Sequence, residues 1–327
     1  MKTNQVVIEI EELKKAFSIR RSQPGILGAL RSLFTKLTTQ EAIQGINLKV
    51  YHGERIAFIG PNGAGKSTTI KILTGILYPT SGRVKVLGYT PWEERKKLSY
   101  HIGSVFGQRS QLWYHLPASD TFELLSKIYE LDPINFKSQL NRLVEIFDIE
   151  AFLDKPVRKL SLGQRMRCEI VASLLHNPKI LFLDEPTIGL DVNAKLKIRA
   201  ILNQMSKEFG TTLFLTSHDT ADIEQICDRV VILDEGKILK DGSLNELKRE
   251  FSHKKTVTLI TEAKNFNLNM KGVQVIESEE FRLVCQIDLR EVSMDQVIRE
   301  TLNHTSLKDV TIQDPSMEEI IRALYAK

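Results

Sequence analysis

Cysteine and long apolar runs are both scarce in this sequence, and each absence excludes a class of protein. Only three cysteines occur in 327 residues, and no two of them form a C-x-x-C pair. A disulfide framework or a cysteine metal site is therefore not expected, and a reducing compartment is the natural interpretation. No apolar run approaches the roughly 18 residues that a membrane-spanning helix needs. The N-terminal stretch MKTNQVVIEIEELKK alternates polar and apolar residues, which predicts a strand and not a signal peptide.

A strong excess of charge of one sign is also missing. The chain has 45 basic and 41 acidic residues, a net charge of +4, which is too weak to indicate a nucleic-acid partner. From residue 253 onward there are 10 basic and 12 acidic residues, so the N-terminal part carries the positive excess. That excess is compatible with a surface lying near anionic lipid. The length and the 42% apolar content predict a globular chain of two domains.

A glycine-rich stretch, GPNGAGKST, directly follows the apolar run Arg55–Ile59 and precedes a segment with helical spacing. It fits the pattern G-x-x-x-x-G-K-[ST], in which backbone N–H groups turn inward on a phosphate and the lysine reaches the terminal phosphates. The serine hydroxyl can ligate Mg²⁺, and the helix N-terminus favours an anion. The stretch therefore predicts binding of a nucleoside triphosphate through Gly60, Pro61, Asn62, Gly63, Ala64, Gly65, Lys66, Ser67 and Thr68.

Strands alternate with helices along most of the chain, which predicts an α/β core with a largely parallel sheet. Predicted strands include Val6–Ile10, a strand pair over Glu41–Glu54, Thr212–Thr216 and a hairpin closed by Glu235 and Gly236. No strand is expected between about residues 110 and 176, which predicts an inserted helical subdomain. The predicted cassette covers residues 1–250, and residues 251–327 are expected to form a small α+β accessory domain.

Two carboxylates follow the apolar strand Ile180–Leu183. Asp184 and Glu185 would lie at the carboxyl edge of a buried strand, beside the phosphate loop. Phosphoryl transfer needs little beyond positioning and charge, so Asp184 is expected in the Mg²⁺ shell and Glu185 as the general base for the attacking water. His218 follows a further strand, and Gln108 ends another.

Together these motifs resemble the ATP-binding subunit of an ABC transporter, over about residues 5–245. The resemblance makes Gly60–Thr68 the Walker A loop and Ile180–Glu185 the Walker B strand, with ATP and Mg²⁺ as ligands. It implies that Gln108 senses Mg²⁺ and the membrane domain, and that His218 contacts the γ-phosphate. The implied catalytic residues are Glu185, His218 and Gln108, and the implied metal-site residues are Ser67, Gln108 and Asp184.

The signature loop of the family, usually LSGGQ, stands here as Leu160–Gln164, with Leu162 in place of the first glycine. Ser161, Gly163 and Gln164 remain, and Asp191 matches the D-loop. Ser161 and Gly163 match the residues that, in the family, cover the γ-phosphate of the nucleotide bound to a partner cassette. The resemblance therefore implies a head-to-tail dimer, either a homodimer or a heterodimer.

Stretches such as VFGQRSQLW and LDEPTIGLD are most similar to the branch that serves drug, polysaccharide or sodium exporters. The resemblance implies a separate multispan membrane subunit and a peripheral location on the cytoplasmic face of the membrane. An importer ATPase, a soluble ABC protein acting on ribosomes or DNA, and a nucleotide-binding regulator without turnover are the alternatives. The presence of both Glu185 and His218 is not typical of a regulator.

The segment before the second strand and the aromatic residue next to it also lie near the nucleotide motifs in sequence. The segment Ser18–Gln40 has basic but no acidic residues and carries an apolar stripe with helical spacing. That stripe packs against the cassette in one interpretation and against the membrane subunit or anionic lipid in the other. Phe17 is the candidate for stacking on adenine. Trp113 and Tyr114 are expected either to line the groove for a membrane-domain helix or to join the subdomain core.

Overall fold

The computed structural model describes residues 5–19, 38–107 and 110–325, and they fall into two compact units, Met1–Asp241 and Gly242–Lys327. In the described part of the first unit the strands are β1 (Val6–Ile19), β2 (Thr38–Tyr51), β3 (Arg55–Ile59), β4 (Ser81–Val86), β5 (Ile102–Phe106), β6 (Ile180–Asp184), β7 (Thr212–Thr216), β8 (Arg229–Asp234) and β9 (Lys237–Ser243). The helices are α1 (Lys66–Leu73), α2 (Arg95–Ser99), α3 (Ala118–Ile128), α4 (Pro133–Phe147), α5 (Leu162–Leu174), α6 (Val192–Phe209) and α7 (Thr220–Ile226), with short 3₁₀ turns at Glu150–Phe152 and Val157–Lys159.

A six-stranded sheet forms the centre of the first unit, in the order β5-β6-β7-β3-β8-β9. The pairings from β5 through β8 are parallel, as the alternation of strands and helices predicts. The rings of Phe58, Phe182 and Phe214 are buried, and the centroid of Phe214 lies 5.1 Å from that of Phe58 and 5.6 Å from that of Phe182. Burying one such ring contributes about 1.5–3 kcal/mol. The packed sheet therefore fixes the strand ends that carry the polar motifs.

The predicted hairpin at Glu235 and Gly236 is confirmed, because β8 and β9 are neighbours in the sheet and only these two residues separate them. Both residues have positive φ, 44° and 78°, as a type I′ turn requires. The predicted strand Thr212–Thr216 has the observed bounds. The α/β class predicted from sequence is therefore confirmed.

A second, antiparallel sheet of order β2-β1-β4 lies in the same unit. The predicted strand pair over Glu41–Glu54 is wrong, since β2 is one continuous strand of 14 residues. Gly45, at φ 93°, and register irregularities in its pairing with β1 interrupt the side-chain alternation, which makes one strand look like two.

The ends of the basic segment predicted at Ser18–Gln40 belong to strands in the structure. Ser18 pairs with Thr39 and Phe17 pairs with Gln40, so the two strands β1 and β2 continue into this segment from both sides. The basic segment therefore connects two paired strands. The part of it outside these strands is shorter than Ser18–Gln40 at each end. Its apolar stripe lies in residues 20–37, outside the described residues.

The helical subdomain predicted at about residues 110–176 contains α3, α4 and α5. Helix α3 begins at Ala118, directly after Pro117. Helix α4 begins at Pro133, because Asp132 accepts hydrogen bonds from the N–H groups of Ile134 and Asn135. Proline at the first helical position supports this start. None of the described helices is long and apolar enough to cross a bilayer.

The second unit is a small α+β domain. Its strands β10 (Lys254–Thr261), β11 (Val273–Ser278), β12 (Arg282–Asp288) and β13 (Leu307–Gln313) form an antiparallel sheet of order β11-β12-β10-β13. Its helices are α8 (Leu244–Glu250), α9 (Met294–His304) and α10 (Met317–Tyr325). The sequence places the domain boundary at 250/251, whereas the units divide at 241/242. The difference is helix α8, which contacts α10 within the second unit.

Candidate functional site

The phosphate-loop motif lies between β3 and α1, as predicted. Gly63 and Gly65 have φ values of 87° and 100°, a left-handed region that glycine adopts without the penalty of a side chain. A Cβ atom on Gly65 would lie 2.5 Å from the carbonyl oxygen of Ala42, so only glycine fits against β2 at this point. The loop is therefore shaped by its glycines and leads into the N-terminus of α1, where an anion is favoured.

Lys66 lies at the start of α1 and is almost completely buried. Its Nζ donates to the carbonyl oxygens of Gly60, at 2.7 Å, and Pro61, at 3.1 Å, so the ammonium group closes the loop on itself. Burial lowers the pKa of Lys66, while the nearby carboxylates of Glu185 and Asp184 act in the opposite direction. A buried cation at the N-terminus of a helix is suited to hold a polyphosphate.

Asp184 lies at the carboxyl end of β6, within reach of the phosphate loop. The Ser67 hydroxyl donates to Asp184 Oδ1 at 3.1 Å, and the Thr216 hydroxyl donates to the same oxygen at 2.6 Å. Sequence reasoning missed Thr216. Thr216 ends β7 and pairs with Asp184 in the parallel register of β6 and β7. Its position at the end of an apolar strand is the sequence feature that could have identified it.

Glu185 follows Asp184 in an unusual backbone conformation, with φ 56°. A non-glycine residue in this region costs about 1–3 kcal/mol and is held there by its surroundings. Here the Glu185 N–H donates to the Thr216 carbonyl oxygen at 3.0 Å. The Gly107 backbone lies so close that a Cβ atom on it would meet the Glu185 carbonyl oxygen at 2.5 Å. Gly107 was not predicted either, because a close approach between distant segments leaves no local pattern.

His218 follows β7 and contacts the predicted general base directly. Its Nε2 lies 2.6 Å from Glu185 Oε1. The His218 side chain is 44% exposed and the Glu185 side chain 17% exposed, so the pair lies at the edge of a cavity and not within the core. A carboxylate and an imidazole in hydrogen-bond contact can hold and move a proton at this edge.

A cavity of about 920 Å³ joins these groups. Phe17 and Gln40 line it, as do Ile76 and Leu77, which the sequence did not single out. The predicted residues that line it are Phe17, Asn62, Gly63, Gly65, Lys66, Ser67, Thr68, Asp184, Glu185 and His218. The volume is in the range of small-molecule and cofactor sites.

The other predicted residues that the structure describes do not line this cavity, namely Gly60, Pro61, Ala64, Ser161, Gly163, Gln164 and Asp191. Ser161 is the N-cap of α5 in a capping box with Gln164, and Asp191 is the N-cap of α6, where its carboxylate accepts from the Ala194 N–H at 2.9 Å. Gly163 lies against Ala194, since a Cβ atom on it would approach the Ala194 side chain to 2.8 Å. Leu162 lies close to Gly189 of the same chain.

Gln108 lies outside the described residues. The chain after it is anchored to α5, because the Gln111 N–H donates to Glu169 Oε2 at 3.1 Å and the Ser110 hydroxyl bonds the other oxygen of the same carboxylate. Burial raises the pKa of Glu169, although these hydrogen bonds act in the opposite direction.

Comparison with protein families identifies both units of the chain. Residues 43–188 match the family model described as ABC transporter. Residues 242–323 match the model described as the C-terminal domain of DrrA1-3-like ATP-binding proteins. The second match begins at the first residue of the second compact unit.

Two relatives with named functions are similar to this chain over about two thirds of its length or more. The bacitracin transport ATP-binding protein BcrA of Bacillus licheniformis is 35% identical over 64% of this chain and 68% of that protein. The daunorubicin resistance ATP-binding protein DrrA3 of Streptomyces coeruleorubidus is 30% identical over 86% of this chain and 90% of that protein.

Solved structures show the same fold. An ATP-binding subunit of an ABC transporter matches with a TM-score of 0.62 and 26% identity over 75% of this chain and 93% of that chain. A dimeric, post-hydrolysis ATP-binding cassette with bound ADP and phosphate matches with a TM-score of 0.60 and 25% identity over 72% and 98%. The chain therefore belongs to the ABC transporter family, as the ATP-hydrolysing subunit of such a transporter.

Proposed function

We propose that this subunit hydrolyses ATP with Glu185 as the general base and that the hydrolysis powers export through a separate membrane subunit. The contact of 2.6 Å between Glu185 Oε1 and His218 Nε2 supports the assignment most directly. It places a proton acceptor beside an imidazole in the cavity that Lys66 also lines. The chemistry needs only a positioned water and stabilised phosphate charge.

Each side chain in the cavity has a separate part in this mechanism. Lys66 leaves the carbonyl oxygens of its own loop and binds the terminal phosphates. Glu185 orients the attacking water and accepts its proton, and His218 donates to the γ-phosphate oxygen. Gln108 is proposed to sense Mg²⁺ and the membrane subunit, and Phe17 to stack on adenine, since its aromatic ring lines the same cavity as the phosphate loop.

The donor set fits one Mg²⁺ ion that takes part of its shell from the nucleotide. Ser67 and Asp184 offer two oxygens that already lie 3.1 Å apart. In the parts of the chain that the structure describes, no cluster of three histidine, cysteine or carboxylate side chains could hold a metal by itself. Mg²⁺ is normally bound through one or two protein oxygens with phosphate and water, which these residues allow. When bound, the ion would neutralise phosphate charge.

The catalytic unit is proposed to be a dimer of cassettes. Ser161, Gly163, Gln164 and Asp191 do not line the cavity of their own chain. Ser161 is exposed at the N-terminus of α5, where a phosphate from a second chain can approach its hydroxyl and the helix N–H groups. One site would then combine the phosphate loop of one chain with the signature residues of the other.

Complementation between two inactive variants tests the dimer. Lys66→Ala removes the phosphate lysine. Ser161→Asp keeps a good N-cap, so the helix start is preserved, but it places a negative charge where the phosphate must lie. In a mixed dimer, one of the two sites pairs the intact loop of one chain with the intact signature of the other.

Mixing the two inactive variants in equal amounts is therefore expected to recover roughly a quarter of the wild-type rate, since half of the symmetric dimers are mixed and each has one intact site. A chain carrying both substitutions, mixed with Lys66→Ala, is the matched control and should stay inactive. Absence of any recovery with the two single variants would contradict a site shared between chains.

The surface expected to meet the membrane subunit lies after β5. Trp113 is 49% exposed and Tyr114 is 53% exposed, so neither belongs to the subdomain core. Exposed neighbouring aromatic residues are typical of a protein interface. We place the chain at the cytoplasmic face of the membrane, bound to a multispan partner through this surface.

Export is favoured over import by relatives named for bacitracin transport and daunorubicin resistance. Everted membrane vesicles that carry the subunit and its partner expose the cassette to added Mg-ATP. Daunorubicin and bacitracin are the probes, and ATP-dependent accumulation of either inside the vesicles is the expected result. Accumulation only in right-side-out vesicles loaded with ATP would contradict export, and the Glu185→Gln variant serves as the inactive control.

A further inference from the structure

One fully buried carboxylate in the first unit is not explained by the reaction. Asp222 lies in the first turn of α7 and is 0% exposed. Burying an ionised carboxylate is costly unless charge and hydrogen bonds compensate for it. The groups that compensate here come from the segments that carry the reacting side chains.

Two hydroxyl groups donate to the same carboxylate oxygen. The Thr187 hydroxyl lies 2.5 Å from Asp222 Oδ2, and the Ser217 hydroxyl lies 2.6 Å from it. Thr187 follows Glu185 by two residues, and Ser217 directly precedes His218. The carboxylate thus connects the chain beside the general base to the chain beside the histidine.

A buried arginine neutralises the carboxylate and extends the connection. Arg199 of α6 donates from Nε to Asp222 Oδ1 at 2.6 Å, and its Nη2 lies 2.8 Å from Asp219. Lys195, one turn earlier on α6, lies 2.8 Å from the same carboxylate of Asp219. His218 is therefore held through both of its neighbours in the chain, Ser217 and Asp219.

We propose that Asp222 is a positioning residue for hydrolysis: it holds Thr187 and Ser217 so that Glu185 and His218 stay in contact. The inference rests on the proposed function, because it assumes that Glu185 is the base. Asp222 and its partners Thr187, Ser217 and Arg199 do not line the nucleotide cavity. Loss of this connection should slow the chemical step and leave ATP binding intact.

Two conservative substitutions test the connection without removing the buried charge. Thr187→Val keeps the side-chain volume and removes the hydrogen bond to Asp222. At the other segment, Ser217→Ala removes the hydrogen bond to Asp222 and the one that Ser217 Oγ accepts from the Asp219 N–H. Each is expected to lower kcat about tenfold, since misplacement by even 1 Å can cost 10²-fold, while KM for ATP stays within about twofold.

Thr301→Val is the matched control. Thr301 is 0% exposed, against 3% for Thr187, and the Thr301 hydroxyl donates one hydrogen bond, to the Val297 carbonyl oxygen at 2.8 Å, but it lies in the second unit. This variant loses the same chemical group from a buried place in the other unit, so it should leave kcat and KM unchanged. An equal fall of kcat in Thr187→Val and Thr301→Val would overturn the proposal.

Combination with Glu185→Gln distinguishes positioning from a general structural effect. If Thr187 acts through Glu185, then Thr187→Val should cause no further loss of residual turnover in the Glu185→Gln background. A further loss of about tenfold there would contradict the proposal. If instead Glu185→Gln alone turns over ATP at the wild-type rate, the proposed function fails, which is a separate outcome.

Discussion

Stability of the first unit should depend on pH in part through one partly buried histidine, His176. His176 Nε2 lies 2.9 Å from the Ile102 carbonyl oxygen, and its ring stacks on Tyr129 with centroids 4.0 Å apart. Its Nδ1 is buried and has no hydrogen-bond partner among the described residues. Burial lowers the pKa of His176 from 6.5 to about 4, which the hydrogen bond to Ile102 only partly opposes.

The direction of the pH effect on stability depends on whether the folded or the unfolded chain binds the proton more strongly. Above pH 6.5 the imidazole is neutral in the folded and the unfolded chain. Between pH 6.5 and 4 the unfolded chain binds the proton and the folded chain does not, so stability falls as the pH is lowered through this window. A pKa difference of this size corresponds to about 3 kcal/mol of unfolding free energy between pH 7 and pH 4.

Urea unfolding at pH 7, 6, 5 and 4 measures this loss. Trp92 and Trp113, the two tryptophans of the chain, both lie in the first unit, so their fluorescence reports its unfolding. His176→Phe keeps an aromatic ring against Tyr129 but cannot titrate, and His115→Gln changes an exposed histidine as a control. The expected result is a shallower loss of stability in His176→Phe only. Equal slopes in wild type and His176→Phe would refute the reasoning.

Three further predictions concern the site and the division of the chain. Lys66→Ala should weaken ATP binding by roughly tenfold to a hundredfold, as expected for a lost hydrogen bond to a charged group, and calorimetric titration with ATP measures it. Thr216→Val should raise the Mg²⁺ concentration needed for half-maximal turnover, because the Thr216 hydroxyl holds Asp184 Oδ1 at 2.6 Å. A Mg²⁺ titration of turnover that matches wild type would contradict this. A chain ending at Ser243 should bind ATP as the full chain does, because no residue lining the cavity lies beyond it; a folded shortened chain without binding would oppose the prediction.

The parts of the site that could be predicted are those with a local pattern. The loop at Gly60–Thr68 and the carboxylates Asp184 and Glu185 follow apolar strands in sequence, and parallel strands place their carboxyl ends at one edge of the sheet. Strand bounds such as Thr212–Thr216 were predicted correctly because their apolar runs are short and end in polar residues.

The parts that could not be predicted depend on contacts between distant segments. Thr216, Gly107 and Asp222 each act through partners on other strands or helices, so no spacing within the chain marks them. Helices α2, α7 and α8 were not predicted because five to seven residues are too few for a helical apolar period to be recognised.

Hydrolysis by the Glu185→Gln variant tests the central claim most directly. The amide preserves the shape and backbone of Glu185 but cannot accept the proton of water, so turnover should fall by roughly 10²-fold or more. ATP binding measured with Mg²⁺ should stay as in wild type, since Lys66 and the loop are untouched. Glu145→Gln, on the exposed face of α4, is the control and should behave as wild type in both measurements. Hydrolysis by Glu185→Gln at the wild-type rate would contradict the assignment of the general base.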